Sequence, residues 1–338
     1  MRATNWVGDA VMSLPALRAI RERFPRAHIA VLARPWVGDL YAREPFCDRM
    51  IPYTAPRGAG GWRAKWSLAR ALQAEKFDCA ILLQNAFEAA LLARLAGIPE
   101  RIGYARDGRG WLLTRAVAVP EPGVIPRHER FYYLELLRRA GLLDALPASE
   151  AIRLEGAAAA REAGGGRLRT AGFGDAVVGV SPGAAYGGAK RWLPERFADA
   201  SAEVAAELRA GVALFGSGEE RPLCEQIAGT LRGRGVLVRN FAGQTSLAEF
   251  IEMAAACRVY LTNDSGAMHI ASALGVPTVA VFGATEDQTT GPTGPLTRVV
   301  REPVECSPCL LRECPIDHRC MTRVDARRVA RACLELLK

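Results

Sequence analysis

The sequence predicts an α/β protein built from two doubly wound, parallel-sheet domains, and three observations carry that expectation. The chain has 338 residues, about twice the length of an ordinary domain. Half of its residues are apolar and 24% are charged, a globular balance that excludes disordered, collagen-like and coiled-coil chains. Short apolar, β-rich runs alternate with helix-length segments from end to end, as βαβ units require.

In the first half, strand patterns at 29–32, 49–52, 79–83 and 101–103 are separated by helical patterns at 14–23, 66–74 and 87–96, with another at 129–140. In the second half, strands at 177–181, 212–215, 259–262 and 278–282 alternate with helices near 195–208, 219–231, 247–256 and 267–274. The runs Gly164-Gly165-Gly166 and Gly172-Phe173-Gly174 interrupt any period, which places the junction at 164–175 and the domains at 1–170 and 171–338. A last helix at 325–337 follows a cysteine-rich insertion at 306–320 and could pack on either domain.

Charge separates the halves. The net charge is +8; residues 1–150 carry 22 basic and 15 acidic side chains, residues 151–338 carry 22 and 21. Such asymmetry suits an anionic partner at the first half, although a basic surface also simply aids solubility. The basic residues are 40 Arg and only 4 Lys, so each Lys is informative. No apolar run reaches the roughly 18 residues of a membrane span, and no signal-peptide pattern opens the chain. A cytoplasmic protein is expected. Nine cysteines, five of them scattered, fit reduced thiols better than a disulfide framework.

Ligands of open α/β sheets bind beyond the carboxyl ends of the strands, so the strand-to-helix turns are the places to look. After 177–181 comes Ser181-Pro182-Gly183-Ala184-Ala185-Tyr186-Gly187-Gly188-Ala189-Lys190-Arg191-Trp192. Its small residues let backbone amides approach an anion, and a Lys-Arg pair closes it before a helix opening at Pro194-Glu195, as a diphosphate cradle would. A glycine-rich surface loop would share the small residues but has no need of the rare Lys190. After 259–262 comes Asn263-Asp264-Ser265-Gly266-Ala267-Met268-His269, an N-cap whose first-turn amides can hold a phosphate or a ribose hydroxyl. A lone helical histidine such as His269 is more often a core residue than a catalyst. Gly216-Ser217-Gly218-Glu219-Glu220 places carboxylates near ribose hydroxyls, although acidic residues also suit a first helical turn. At the N-terminus, Trp6-Val7-Gly8-Asp9 puts an Asp on a turn where a general base could sit, and where a turn Asp is also ordinary.

Together, these segments and Ala242-Gly243-Gln244-Thr245 resemble the lipopolysaccharide heptosyltransferases of glycosyltransferase family nine, in the family's order from position 6 to about 283. The resemblance implies a GT-B fold, with two Rossmann-like domains facing a cleft, the nucleotide sugar on the C-terminal domain and the acceptor on the N-terminal one. It implies inverting transfer of L-glycero-D-manno-heptose from ADP-heptose to heptosyl-Kdo-lipid A, with no metal required for catalysis. Carried over residue by residue, Asp9 matches the catalytic base and Lys190 the diphosphate-binding lysine. Ser181, Gly183, Arg191, Asp264, Ser265, Gly266 and His269 fall in the donor-site segments, Glu219 or Glu220 matches a ribose contact, and Gln244 and Thr245 lie toward the adenine. Arg106, Arg109, Arg127 and Arg130 are candidates to meet the anionic lipid at the inner membrane surface, where the enzyme would sit peripherally. The family also carries a strand of about five apolar residues before this first turn. Here only Met1-Arg2-Ala3-Thr4 precede Asn5, so that strand is expected to be short, as a start codon placed too late would leave it.

Cys306, Cys309, Cys314 and Cys320 form C-x2-C-x4-C-x5-C with His318 nearby. Four thiolates so spaced could make a structural zinc knuckle or hold an iron–sulfur cluster; the alternative is two disulfides or four free thiols in a loop. A position remote in sequence from the chemistry suggests a structural or acceptor-side role. Two other classes fit less well. A nicotinamide-dependent oxidoreductase would need a G-x-G-x-x-G turn that is missing. A basic, zinc-bearing nucleic-acid binder would need aromatics interleaved with its basic residues and no pair of βαβ series, so no nucleic acid is expected. A family-nine enzyme for another sugar or acceptor is the nearest alternative.

Overall fold

The computed structural model describes residues 1–54, 61–148 and 151–338, divided between two compact units, Met1–Ala148 and Ser149–Lys338. In the first unit the chain runs α1 (Val7–Arg23), β1 (Ala30–Ala33), α2 (Pro35–Tyr41), β2 (Arg49–Pro52), α3 (Trp62–Ala74), β3 (Cys79–Leu82), α4 (Phe87–Leu95), β4 (Glu100–Tyr104), β5 (Arg115–Val117) and α5 (Arg130–Arg139). Strands β1 and β2 pair in parallel, as do β3, β4 and β5. Residues 1–3 lie between the two sets. Arg2 forms parallel bridges to Leu32 of β1 and Leu82 of β3, with Arg2 N–H donating to Ile81 O at 2.9 Å and Ala3 N–H to Leu32 O at 3.0 Å. Between the two sets the chain thus contributes one bridged residue, Arg2. Beside it lies a cavity of about 550 Å³ lined by apolar side chains including Ile20, Phe24, Ile29, Leu82 and Ile98.

The second unit continues α6 (Ala157–Thr170), β6 (Val177–Ser181), α7 (Pro194–Leu208), β7 (Gly211–Leu214), α8 (Arg221–Gly233), β8 (Val238–Asn240), α9 (Leu247–Ala255), β9 (Val259–Asn263), α10 (Gly266–Ala273), β10 (Thr278–Phe282), α11 (Asp287–Thr290), β11 (Thr297–Arg301), α12 (Arg319–Thr322) and α13 (Ala326–Glu335). Its six strands stand in the order β11-β10-β9-β6-β7-β8, all parallel. Val-, Ile- and Leu-rich strands buried on both faces are what a helix-covered parallel sheet demands; β6, β7, β9 and β10 are buried throughout. Helix α13, capped by Asp325 accepting from Arg327 N–H at 2.8 Å, settles on α7 and the sheet of this same unit.

The structure corrects the expected domain junction. Gly164, Gly165 and Gly166 are interior to α6 rather than in a linker. Gly164 is buried because α6 lies directly on α9: a Cβ there would overlap the Glu252 carbonyl. Its lack of a side chain sets the close helix approach, and the boundary moves back to Ala148/Ser149. The first helix also begins earlier than its apolar period suggests, at Val7. Asp9 therefore sits in a helical first turn, where a carboxylate is favoured by the helix dipole.

Candidate functional site

The chain leaves β6 for β7 and β8 on one side of the sheet, then returns to β9, β10 and β11 on the other. That reversal is the crevice where doubly wound sheets bind ligands. The two loops emerging there are 181–192 and 263–266, and the sequence singles out both.

Loop 181–192 is held at its ends. Asn263 donates from Nδ2 to Pro182 O at 2.7 Å and accepts from Trp192 N–H at 3.0 Å, so one fully buried side chain clamps both ends. Trp192 is 1% exposed, donates to Val324 O at 3.3 Å and meets Phe197 edge-on at 5.0 Å. Truncating such an anchor costs about 3–5 kcal/mol. Within the loop, Lys190 Nζ lies 2.6 Å from Asp264 Oδ2. Thr285 donates to the same oxygen at 2.6 Å. Lys190 and Asp264 are 12% and 5% exposed, so the pair is largely withdrawn from water and its charge-assisted bonds fix the ammonium at the sheet's switch point.

The amides of residues 188–192 are already taken by acceptors within the protein. Gly188 N–H donates to Glu313 Oε1 at 2.9 Å. Ala189 N–H goes to Arg312 O, Lys190 N–H to Gly187 O, Arg191 N–H to Gly188 O and Trp192 N–H to Asn263. This part of the loop offers cations rather than amides. The exposed Arg191 bonds Ala184 O at 3.3 Å. The first-turn amides of α10, at Gly266 to Met268, have no intrahelical acceptors. Ser265 and Gly266 are half-buried there, and Ser265 Oγ is 3.1 Å from Thr262 Oγ1.

Other predicted residues divide between site and scaffold. Ser181 turns inward, its hydroxyl 2.7 Å from the Tyr260 hydroxyl in the core, because strand alternation points it away from the loop. Gly183 is needed for contact: a Cβ there would overlap the Glu220 carboxylate. Glu220 itself accepts from Ser217 N–H at 2.8 Å, a capping role, whereas Glu219 is exposed beside it. The Gln244 loop touches this turn, with Gly243 N–H donating to Gly216 O at 2.9 Å and the Gln244 amide oxygen accepting from the Arg221 guanidinium. Thr245 is half-buried next to Gln244. His269 is 4% exposed inside α10, a core histidine.

In the first unit, Asp9 occupies the equivalent switch point, following the bridged Arg2 between β1 and β3. Helix α5 packs on α1 and brings Glu129 near. Burial, and secondarily the Asp9 charge, push the Glu129 carboxyl up to about 7. No local pattern signals this partner, since 120 residues separate the two. Of the four arginines, Arg106 and Arg127 are exposed. Arg109 is fully buried and donates to Tyr104 O at 2.9 Å, Asn85 Oδ1 at 3.0 Å and Gln84 O; Arg130 is buried against Phe131. These two are scaffold rather than lipid contacts. Cations also stack at this end of the sheet, Arg2 and Arg34 lying 4.6 and 4.3 Å from the Tyr53 ring centre.

The four clustered cysteines are free thiols gathered round Cys320, whose thiol is pushed up to about 11 by burial and by Cys306, Cys309 and Cys314. Among the described residues no group of three or more Cys, His, Asp or Glu side chains stands as a metal shell. Although remote in sequence, this segment is close in space to the Lys190 loop: its residues 310–318 lie against Tyr186–Ala189. No helix among the described residues is long and apolar enough to cross a membrane.

The profile of glycosyltransferase family 9 (heptosyltransferase) matches residues 65–319. The chain is 32% identical to lipopolysaccharide heptosyltransferase 2 of Salmonella typhimurium LT2, over 88% of this chain and 86% of that one. It is 31% identical to lipopolysaccharide heptosyltransferase 2 of Escherichia coli K12, with the same coverage. Its structure is similar to that of E. coli ADP-heptose LPS heptosyltransferase II, with a TM-score of 0.81 and 28% identity over 99% of this chain and 97% of that one.

Proposed function

Because the chain belongs to glycosyltransferase family 9, the heptosyltransferases, we propose that its second unit binds ADP-heptose and its first unit the heptosyl-Kdo-lipid A acceptor. The protein is a glycosyltransferase of lipopolysaccharide inner-core synthesis. The observation that carries the donor assignment is the Lys190–Asp264–Thr285 constellation at the switch point of an all-parallel sheet.

Inverting displacement needs two things at once. The acceptor hydroxyl must lose its proton as it attacks, and the departing ADP must be stabilised as its charge grows. Asp9 takes the proton as a carboxylate, and Glu129, whose carboxyl burial pushes up to about 7, adds less than a full second negative charge beside it near neutral pH. On the donor side, Lys190 and Arg191 face the diphosphate with the first-turn amides of α10. The Lys190–Asp264 pair is neutral overall, so these amides and Arg191 supply the net positive field, while Asp264 holds the Lys190 ammonium on line. Exposed Arg106 and Arg127 meet the acceptor's phosphates and carboxylates at the membrane surface, in keeping with the basic first half. A structural zinc at Cys306, Cys309, Cys314 and Cys320 would have no part in these steps.

Calorimetry of the full chain against ADP-heptose, ADP and a uridine nucleotide sugar tests the donor assignment. ADP-heptose and ADP bind, the uridine sugar does not, and Lys190→Ala loses at least ten-fold in ADP affinity. Equal affinity for all three, or unchanged ADP binding by Lys190→Ala, contradicts it.

A further inference from the structure

The segment 310–318 is more than a neighbour of the Lys190 loop, because four contacts join them. Tyr186 donates its hydroxyl to Leu310 O at 2.7 Å. Gly188 N–H donates to Glu313 Oε1 at 2.9 Å, and Ala189 N–H to Arg312 O at 2.9 Å. His318 Nε2 lies 3.0 Å from Ala189 O; a carbonyl can only accept, so this nitrogen carries the ring proton. Gly187 and Gly188 have no room for side chains, since a Cβ on either would overlap Arg312 O or the Glu313 carboxylate. Leu310 and His318 both adopt left-handed backbone conformations, with φ of 58° and 55°. Non-glycine residues seldom hold such angles unless the surroundings require them. Here each of the two supplies one of the contacts to the donor loop.

These contacts surround Lys190 without touching its charged end. They fix the peptide units at 188 and 189, directly before Lys190, while Asp264 fixes the ammonium. The Tyr186 ring between them has Lys190 Nζ at 4.8 Å and the Arg312 guanidinium at 5.4 Å from its centre. Glu313 is exposed, so its bond to Gly188 adds little stability; its consequence is the aim of the loop.

We infer that Glu313 and His318 are positioning residues for the nucleotide-sugar donor, holding the Gly188-Ala189-Lys190 turn so that Lys190 meets the diphosphate. The inference rests on the reading of Lys190 as the diphosphate-binding residue. Their contacts run to Gly188 and Ala189 in the Lys190 turn, so in this role they act through Lys190: their loss weakens donor recognition and leaves acceptor recognition alone. A displacement of about 1 Å in a binding group can cost up to 100-fold.

The test uses Glu313→Ala and His318→Ala in the full chain, with Glu313→Gln, which can still accept from Gly188, and His318→Gln, which can still donate to Ala189. Tyr186→Phe removes a single hydroxyl and serves if an alanine variant fails to fold. Each alanine variant is expected to raise KM for ADP-heptose and Kd for ADP about ten-fold, with the acceptor KM unchanged; the glutamine variants recover most of the loss, and Tyr186→Phe loses a few-fold. Donor KM and ADP Kd within two-fold of wild type in the folded variants overturn the inference, as does an equal rise in both KM values. If the unaltered protein binds no ADP, the donor-site reading falls and this inference with it. If it binds ADP and transfers heptose while every variant matches it, only this inference falls.

Discussion

The buried Lys190–Asp264 pair permits a quantitative test by a double-mutant cycle. Asp264→Asn keeps an amide oxygen able to accept from Thr285 but leaves the Lys190 ammonium without its counter-charge. Lys190→Met keeps the aliphatic stem but strands the carboxylate, which is 5% exposed. Removing one partner of a buried pair costs about 3–5 kcal/mol. Lys190 retains 12% exposure and some hydration, which puts each single substitution nearer 2–3 kcal/mol. With both charges gone, no ion remains stranded, so the double variant costs less than the sum by about 2 kcal/mol. Urea unfolding of the four proteins, followed by a probe in the second unit such as Trp192 fluorescence, measures the cycle. Single costs of about 0.5 kcal/mol, typical of surface changes, or strictly additive costs would refute the claim that the pair is structurally coupled. ADP binding supplies a second axis: Lys190→Met loses affinity, whereas Asp264→Asn, which removes a negative charge beside the diphosphate, loses far less.

Three further outcomes are expected from the packing. Glu129 is protonated in the folded chain up to about pH 7 and in the unfolded chain only to about 4.5. Its contribution is thus present below pH 4.5 and lost as pH rises through 7: relative to Glu129→Gln, the wild type should lose up to about 3 kcal/mol across that window, and a pH-independent difference would show that the carboxyl is not buried. Gly164→Val should destabilise the second unit by about 1–3 kcal/mol through overlap with Glu252, whereas Gly166→Ala, with nothing nearby, should be neutral or stabilising by up to about 1 kcal/mol; thermal melts showing both tolerated would restore the linker. Arg109→Ala strips buried carbonyls and should cost about 3 kcal/mol or more, while Arg106→Ala should change stability by less than about 0.5 kcal/mol and weaken acceptor binding, so the reverse order in denaturation would overturn the assignment of scaffold and surface.

The parts of the fold written in local pattern were legible. Strands appear at β2, β6, β9 and β10 within a residue or so of expectation, since apolar β-branched runs bounded by turns have few other homes. Lys190, Asp264 and the 263–266 turn stood out because a switch point gathers the loops that leave the carboxyl ends of its strands. The features that stayed hidden depend on neighbours distant in sequence. A glycine run looks the same in a linker as in a helix that must approach another, and only Glu252 distinguishes them. Ser181 and Arg109 have polar side chains suited to a site, but Tyr260 and the Tyr104 and Gln84 carbonyls bind them inside. The contact of Glu313 with Gly188 spans 125 residues, and nothing local in either segment announces it. The turn marks Asp9 in the sequence, whereas its place in the first turn of α1 and its nearness to Glu129 emerge only in the fold.

In the proposed function, Asp9 and Lys190 serve two halves of one heptose transfer. Its most direct test incubates ADP-heptose with Kdo-lipid A bearing a single heptose, and follows ADP release together with the product's mass. The full chain should release one ADP for each heptose gained. Asp9→Asn should bind ADP normally yet transfer about 100- to 10,000-fold more slowly. No transfer by the unaltered chain, or transfer by Asp9→Asn at the wild-type rate, would contradict the account.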